Sequence, residues 1–144
     1  MDALMADAYR LLVTGSRDWP DERRVEGALE AIAAQQPDLT VVHGDAFRGP
    51  DFTAGFWVRR QRSAGRTGIR EEPHPADWER FGKRAGMLRN AEMVKAGADM
   101  CFAWIAPCSQ RGCRNPEPHG SHGASHCADL AEKAGIHVRR FPPD

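Results

Sequence analysis

Cys108, Cys113, His119 and His122 fall within one loop in the spacing Cys-x4-Cys-x5-His-x2-His. Thiolate and imidazole donors brought together in this way are the set that zinc selects. Pro107, Pro116 and Pro118 stiffen the loop, which has no evident core of its own. The expected ion is a structural zinc, with His126 or Cys127 able to replace His122 as the fourth ligand. The competing reading is a polar loop with spare thiols. The next residues, Ser121-His-Gly-Ala-Ser125, open a helix with hydroxyls at Ser121 and Ser125, a glycine at Gly123 and no acidic side chain before Asp129. Free backbone amides and an uncompensated helix dipole make this start a phosphate cradle. The plainer alternative is an ordinary serine-capped helix.

Three other loops carry polar chemistry. In Thr14-Gly-Ser-Arg-Asp18, Gly15 lets backbone approach a ligand, and Ser16 and Arg17 suit a phosphate. Asp18, Asp21 and Glu22 crowd the following helix start and would repel an anion there, so a capped turn is the rival reading. The stretch is not GxGxxG, and no NAD is expected. The run from His43 to Asp51 places His43, Asp45, Arg48 and Asp51 around Gly44 and Gly49, more polar groups than a plain turn needs. Asp45 or Asp51 could accept sugar hydroxyls. Trp78 sits in a proline-stiffened loop, where it could stack on a base or cover a sheet edge. Arg89 and Asn90 either form a solvated face or aim a guanidinium at the site.

These loops need elements to hold them. Apolar runs predict strands at Arg10–Thr14, Leu39–His43, Gly68–Glu72, Met100–Ile105 and Ile136–Phe141, the third near an edge and the fourth central. Helical periodicity, proline at first turns and glycine past the ends predict helices over Trp19–Gln35, Gly49–Ala64, Lys83–Ala96 and Gly123–Ala134. Alternation of this kind implies an α/β, Rossmann-like three-layer sandwich, its mainly parallel sheet of about five strands covered on both faces. Ligands of such sheets lie beyond the carboxyl ends of the strands, where all four loops fall.

At 144 residues, residues 1–144 are expected to form a single domain with a Cys/His-rich insert at 106–122. Formal net charge is zero, so composition suggests neither a nucleic-acid nor a membrane partner. The acidic first eight residues do not suit a signal peptide, and no apolar run reaches the length of a membrane span. The expected location is the cytoplasm, where clustered cysteines are metal ligands or free thiols more often than disulfides. Cys101, inside an apolar strand, reads as a small buried hydrophobe.

Taken in order, Val13–Asp18, Val42–Asp51, His74–Trp78, Arg89-Asn90 with Met93, and Ser121–Ser125 resemble the SLOG superfamily over nearly the whole chain. That Rossmann-like group contains the Smf/DNA-processing proteins and the Lonely Guy cytokinin-activating hydrolases. The nearer likeness is to its small bacterial and phage members of unknown function. The resemblance implies a nucleotide or nucleotide-derived ligand at the carboxyl edge of the sheet. In the Lonely Guy enzymes a Pro-Gly-Gly-x-Gly-Thr-x-x-Glu stretch holds the phosphate and supplies a glutamate, and an arginine on a preceding helix completes a site that splits a base from a ribose monophosphate. The matching stretch here is Pro118–Cys127, which keeps Gly123 but places Cys127 where the glutamate is expected. Arg89 is the counterpart of the arginine, and Asp45 or Asp51 would have to substitute for the carboxylate. Small Rossmann-like proteins of this kind often pair through outer helices, which leaves a homodimer open.

Three functions compete. The first is binding, with sensing or processing, of a nucleotide-like ligand: phosphate on Ser121–Ser125, Arg17 or Arg89 as counter-charge, and Asp45 or Asp51 near the ribose. The second is a nucleoside-monophosphate phosphoribohydrolase-type hydrolase that cleaves the N-glycosidic bond with Arg89, Asp45 and Asp51. The third is a nucleic-acid module using Arg59, Arg60, Arg62, Arg66 and Arg70, although zero net charge and a helical setting favour a solvated face.

Overall fold

A computed structural model of the chain describes residues 8–143. Five strands form one parallel sheet in the order β3-β2-β1-β4-β5. They are β1 (Tyr9–Gly15), β2 (Leu39–His43), β3 (Ile69–Pro73), β4 (Met100–Trp104) and β5 (His137–Phe141). The long helices are α1 (Glu22–Gln35), α2 (Pro50–Ser63), α4 (Ala85–Ala96) and α5 (His122–Lys133). Between β3 and α4 lie a single-turn helix, α3 (Trp78–Phe81), and a 3₁₀ turn at Gly82–Arg84. This is the expected α/β, Rossmann-like architecture, with β3 at an edge and β4 inside.

Side chains of a strand alternate between faces, and β1 shows the consequence. Leu11 and Val13 join Val25 and Leu29 of α1 and Trp57 and Val58 of α2 in one apolar cluster. Leu12 instead joins Met93 of α4 and Cys127 and Ala131 of α5 in a second cluster on the opposite face. Burial of each large aliphatic or aromatic side chain contributes roughly 1.5–3 kcal/mol, so both faces must be covered by helices. Cys101 is fully buried, as its apolar strand implies.

The strand order reverses between β1, which runs on through β2 to β3, and β4, which runs on to β5. A crevice must open there beyond the carboxyl ends, because the β1 and β4 connections leave in opposite directions. Ser16 bridges its floor. The Ser16 Oγ accepts from the Ala106 amide at 2.8 Å and shares a hydrogen bond with the Ser121 hydroxyl. The loop after β1 is thereby latched to the loop after β4.

The short helix α3 lies within the stretch that reads from sequence as a proline-stiffened loop. Asp77 starts it, its carboxylate accepting from the Arg80 amide at 3.1 Å. The end of β3 is tied to α4 by His74, whose ring nitrogens meet Glu72 at 2.8 Å and Glu92 at 3.0 Å. Burial disfavours the charged ring, but the two carboxylates outweigh it and raise the His74 pKa.

Candidate functional site

A cavity of about 780 Å³ occupies the crevice beyond β1 and β4. Its lining includes the cations Arg17, Arg48, Lys83 and Arg89 against the carboxylates Asp18 and Asp51. Four positive and two negative side chains leave an excess of two positive charges in a chain whose formal net charge is zero. None of the four cations forms an ion pair among the described residues. Such a site draws anions.

The first turn of α5 forms one wall, with Ser121, His122, Gly123 and Ala124 facing the cavity. A helix start leaves its first amides without intrahelical partners. The Ser121 amide is taken by the Ala106 carbonyl at 2.9 Å, which leaves those of His122, Gly123 and Ala124. Ser121 makes no side-chain cap, its hydroxyl being engaged with Ser16, and no acidic residue lies in the first turn. Asn90, almost fully buried, fixes this wall to α4 by donating to the Gly123 carbonyl and to His126 Nδ1, each at 3.2 Å.

Asn90 also orients Arg89. Its Oδ1 accepts from Arg89 Nε at 3.0 Å, while Arg89 Nη1 donates to the Gly44 carbonyl. A β-carbon on Gly44 would collide with the Arg89 guanidinium and come within 2.8 Å of Asp51 Oδ2, so glycine there is what admits the arginine. Gly15 plays the same part for α2, since a β-carbon on it would overlap the Pro50 ring.

Asp51 is only 6% exposed and lines the cavity. Its Oδ2 accepts from the Gly44 amide at 3.1 Å; its Oδ1 is buried and makes no hydrogen bond, although the Ala46 amide lies nearby. Burial raises the Asp51 pKa against the opposing pull of His43 and Arg89. Asp45, by contrast, is exposed, holds a left-handed backbone (φ 55°) and does not line the cavity. His43 is fully buried beneath the site: its Nδ1 accepts from the Asp45 amide at 3.0 Å, and its Nε2–H donates to Glu71 at 2.9 Å. It therefore shapes the loop. Ser125 lies outside the lining, its hydroxyl close to Gly120.

The cavity includes residues that sequence reasoning did not assign to the site. Lys83 is one, signalled by the Lys83-Arg84 pair before α4. Met87, exposed on α4, is another. Trp78, which the sequence offers as a base-stacking residue or a sheet-edge cover, also lines the cavity half-exposed, with Arg17 5.5 Å from its ring and 5.6 Å from that of Phe47. Cys127 is fully buried, and burial pushes its thiol up to about 11. It faces the core and cannot act in the cavity.

Beside the cavity, the donor atoms of Cys108, Cys113, His119 and His122 all lie within 4.8 Å of one another. His122 Nε2 is 3.4 Å from Cys108 Sγ, 3.5 Å from Cys113 Sγ and 3.2 Å from His119 Nε2, which is itself 3.5 Å from Cys113 Sγ. A tetrahedral zinc with ordinary bond lengths requires about 3.3 Å between nitrogens and about 3.6 Å between sulfur and nitrogen. The four groups thus stand at coordination spacing and can hold a metal. His119 Nδ1 donates to the Glu117 carbonyl at 2.7 Å, which turns the Nε2 lone pair inward as ligating histidines require. The Asn115 backbone amide lowers the Cys113 thiol and favours its metal-binding form. His126 is engaged with Asn90 and Cys127 is in the core, so His122 completes the set.

The basic stretch on α2 and β3 is internally engaged. Arg59 meets Glu71 at 2.8 Å, Arg60 meets Glu26 at 3.5 Å, Arg66 meets Glu30 at 3.2 Å and Arg70 meets Asp38 at 2.8 Å. Arg62 donates to the Thr67 and Ile69 carbonyls. No helix among the described residues is long and apolar enough to cross a membrane.

Comparison with known proteins bears on the same features. No solved structure matches the chain. The Gene 61 protein of Mycobacterium phage D29 is 45% identical over 134 residues, covering 92% of this chain and 95% of that protein. Residues 9–81, which carry β1, β2, β3 and the cationic and acidic loops between them, match the YAcAr family. The chain therefore belongs to the YspA, cpYpsA-related SLOG family.

Proposed function

We propose that the chain binds a nucleotide or nucleotide-derived ligand in the crevice between the β1 and β4 loops. The observation that carries this reading is the coincidence of three unpartnered α5 amides with four cations free of ion pairs in one cavity. The phosphate sits on Ser121–Ala124, with Arg89 as the fixed counter-charge and Arg17 or Lys83 closing over it. Asp51, the buried carboxyl of the cavity wall, is the acidic group nearest to hand for a ribose hydroxyl. Trp78 and Met87, both partly exposed in the cavity, offer an apolar platform for a base. Native mass spectra of the freshly purified chain, then titrated with nucleoside mono- and diphosphates, test this. A retained or selectively added nucleotide mass is expected. Failure of every member to bind would remove the reading.

A second reading, hydrolysis of the N-glycosidic bond, is favoured by Asp51 alone. A buried carboxyl with a raised pKa beside a cationic phosphate site suits a proton donor to a leaving base. Release of free base or ribose 5-phosphate from the bound nucleotide would establish it. Asp51→Asn should then lose turnover while Asp45→Asn, outside the cavity, keeps it.

The cluster of Cys108, Cys113, His119 and His122 we assign to zinc, as a closed four-ligand structural site without an open position for catalysis. Roughly one zinc per chain, lost together with thermal stability in Cys113→Ser, is the expected result.

A further inference from the structure

The metal cluster and the ligand cavity share a wall. Cys108 and His122 line the cavity, whereas Cys113 and His119 face a neighbouring hollow outside it. His122 belongs to both sites by different atoms. Its backbone amide is one of the three free at the start of α5, and its ring nitrogen stands among the other three donors. A constraint on the ring is a constraint on the amide.

The loop carrying the cluster has a neck and a head. The neck is closed by backbone: Cys108 donates to the His119 carbonyl at 2.8 Å, Ser121 to Ala106 at 2.9 Å, and Pro107 bridges to Gly120. The head, residues 109–118, adds nothing to either apolar cluster. Its ordering depends on short polar contacts and on the four donors, a poor substitute for a core. Those donors are lone-pair atoms facing one another, an arrangement that a cation stabilises and that water would otherwise pull apart.

We infer that zinc held by Cys108, Cys113, His119 and His122 sets the phosphate affinity of the α5 N-terminus. The ion pins the His122 ring and the Cys108 wall, so that the His122, Gly123 and Ala124 amides converge before the ligand arrives. A dication on two thiolates and two neutral imidazoles also leaves no net charge beside the phosphate. This inference rests on the phosphate reading of that helix start.

The test uses chain expressed with added zinc, then stripped with a chelator and reloaded. Hydrogen exchange is followed in peptides covering residues 106–125, together with the dissociation constant of the best-bound nucleotide of the panel. On zinc removal, exchange in 106–125 should rise about tenfold and nucleotide binding should weaken about tenfold, while β1 and β4 stay protected; zinc should restore both. Cys113→Ser should reproduce the loss although Cys113 does not touch the cavity. Should that variant fold poorly, the stripped and reloaded parent decides. A chain that binds nucleotide equally with and without zinc overturns the inference alone; one that takes up no zinc overturns the zinc assignment and this inference, and leaves the ligand reading standing. A zinc-loaded chain that binds no nucleotide overturns the ligand reading, and this inference with it.

Discussion

Two helices, α1 and α5, begin at the same edge of the sheet, one after β1 and the other after β4, and their starts are built oppositely. At α1 the Asp21 carboxylate accepts from the Arg24 amide at 3.2 Å, and Glu22 follows in the first turn. That start is satisfied and its dipole compensated by the chain itself. At α5 the serine in the cap position turns its hydroxyl to Ser16, no carboxylate follows, and the amides face a cation-lined cavity. One start serves folding; the other is left open for something the chain does not supply. The difference is why the proposed phosphate is assigned to α5 and not to α1, although Arg17 and Asp18 lie in the loop that leads to α1.

The sharpest way to break this contrast is to give α5 the acidic start that α1 has. A β-carbon at Gly123 meets nothing within 4 Å, so Gly123→Asp should fold normally. Its carboxylate would sit among the free amides and repel the phosphate. Nucleotide affinity should fall about a hundredfold, since like charges facing each other in a binding site cost several kcal/mol. Isothermal titration with the nucleotide found by native mass spectrometry checks this; an unchanged affinity would remove the phosphate from α5.

Arg89 is the next lever, because it reaches the same cavity from α4. Losing a charge-assisted hydrogen bond to phosphate should weaken binding roughly thirtyfold in Arg89→Ala. Arg89→Lys should recover only part of it, because lysine cannot hold the Asn90 and Gly44 contacts at once. Equal affinities for both variants and the parent would show that Arg89 serves only the Gly44 loop.

Much of this arrangement was legible in the sequence. Unbroken apolar runs at Leu39–His43 and Met100–Trp104 announced strands covered on both faces, and the sheet follows. The Cys108–His122 spacing announced a donor cluster, and the absence of acids before Asp129 announced the open helix. What was hidden depends on distant contacts. His43 reads as a ligand-site residue until Glu71, 28 positions away, is seen to hold its ring beneath the loop. Ser16 reads as a phosphate ligand; it does line the cavity, but that its hydroxyl also latches Ala106, 90 positions away, is not visible in the sequence. The helix α3 was missed because four residues are too few for periodicity to register.

Asp51 offers a finer test of the same edge. Asp51→Asn keeps an oxygen for the Gly44 amide but replaces the charged acceptor, and nucleotide affinity should fall roughly tenfold. Its pH behaviour has a definite sign. The folded pKa is raised, so the folded chain binds more protons than the unfolded one, and stability declines as pH rises from the ordinary carboxylate range through the folded value. Asp51→Asn removes that slope. Thermal melts should favour the variant over the parent more at pH 7 than at pH 4, and parallel profiles would show that the carboxyl is not desolvated.

The smallest effect belongs to the closed start, and it completes the contrast. Asp21→Ala removes the cap of α1 and should cost about 1 kcal/mol of stability, read as a lower denaturant midpoint at unchanged slope. The freed amides of α1 do not become a second phosphate site, because Glu22 still compensates the dipole and Trp19, nearly buried, donates its indole N–H to the Asp21 carbonyl and holds the turn. Nucleotide affinity and stoichiometry should therefore match the parent. A second bound nucleotide would mean that an open helix start is sufficient here. An unchanged single site would mean that the cations around α5, and the Cys/His loop that leads into its first residue, are what make that start a binding site.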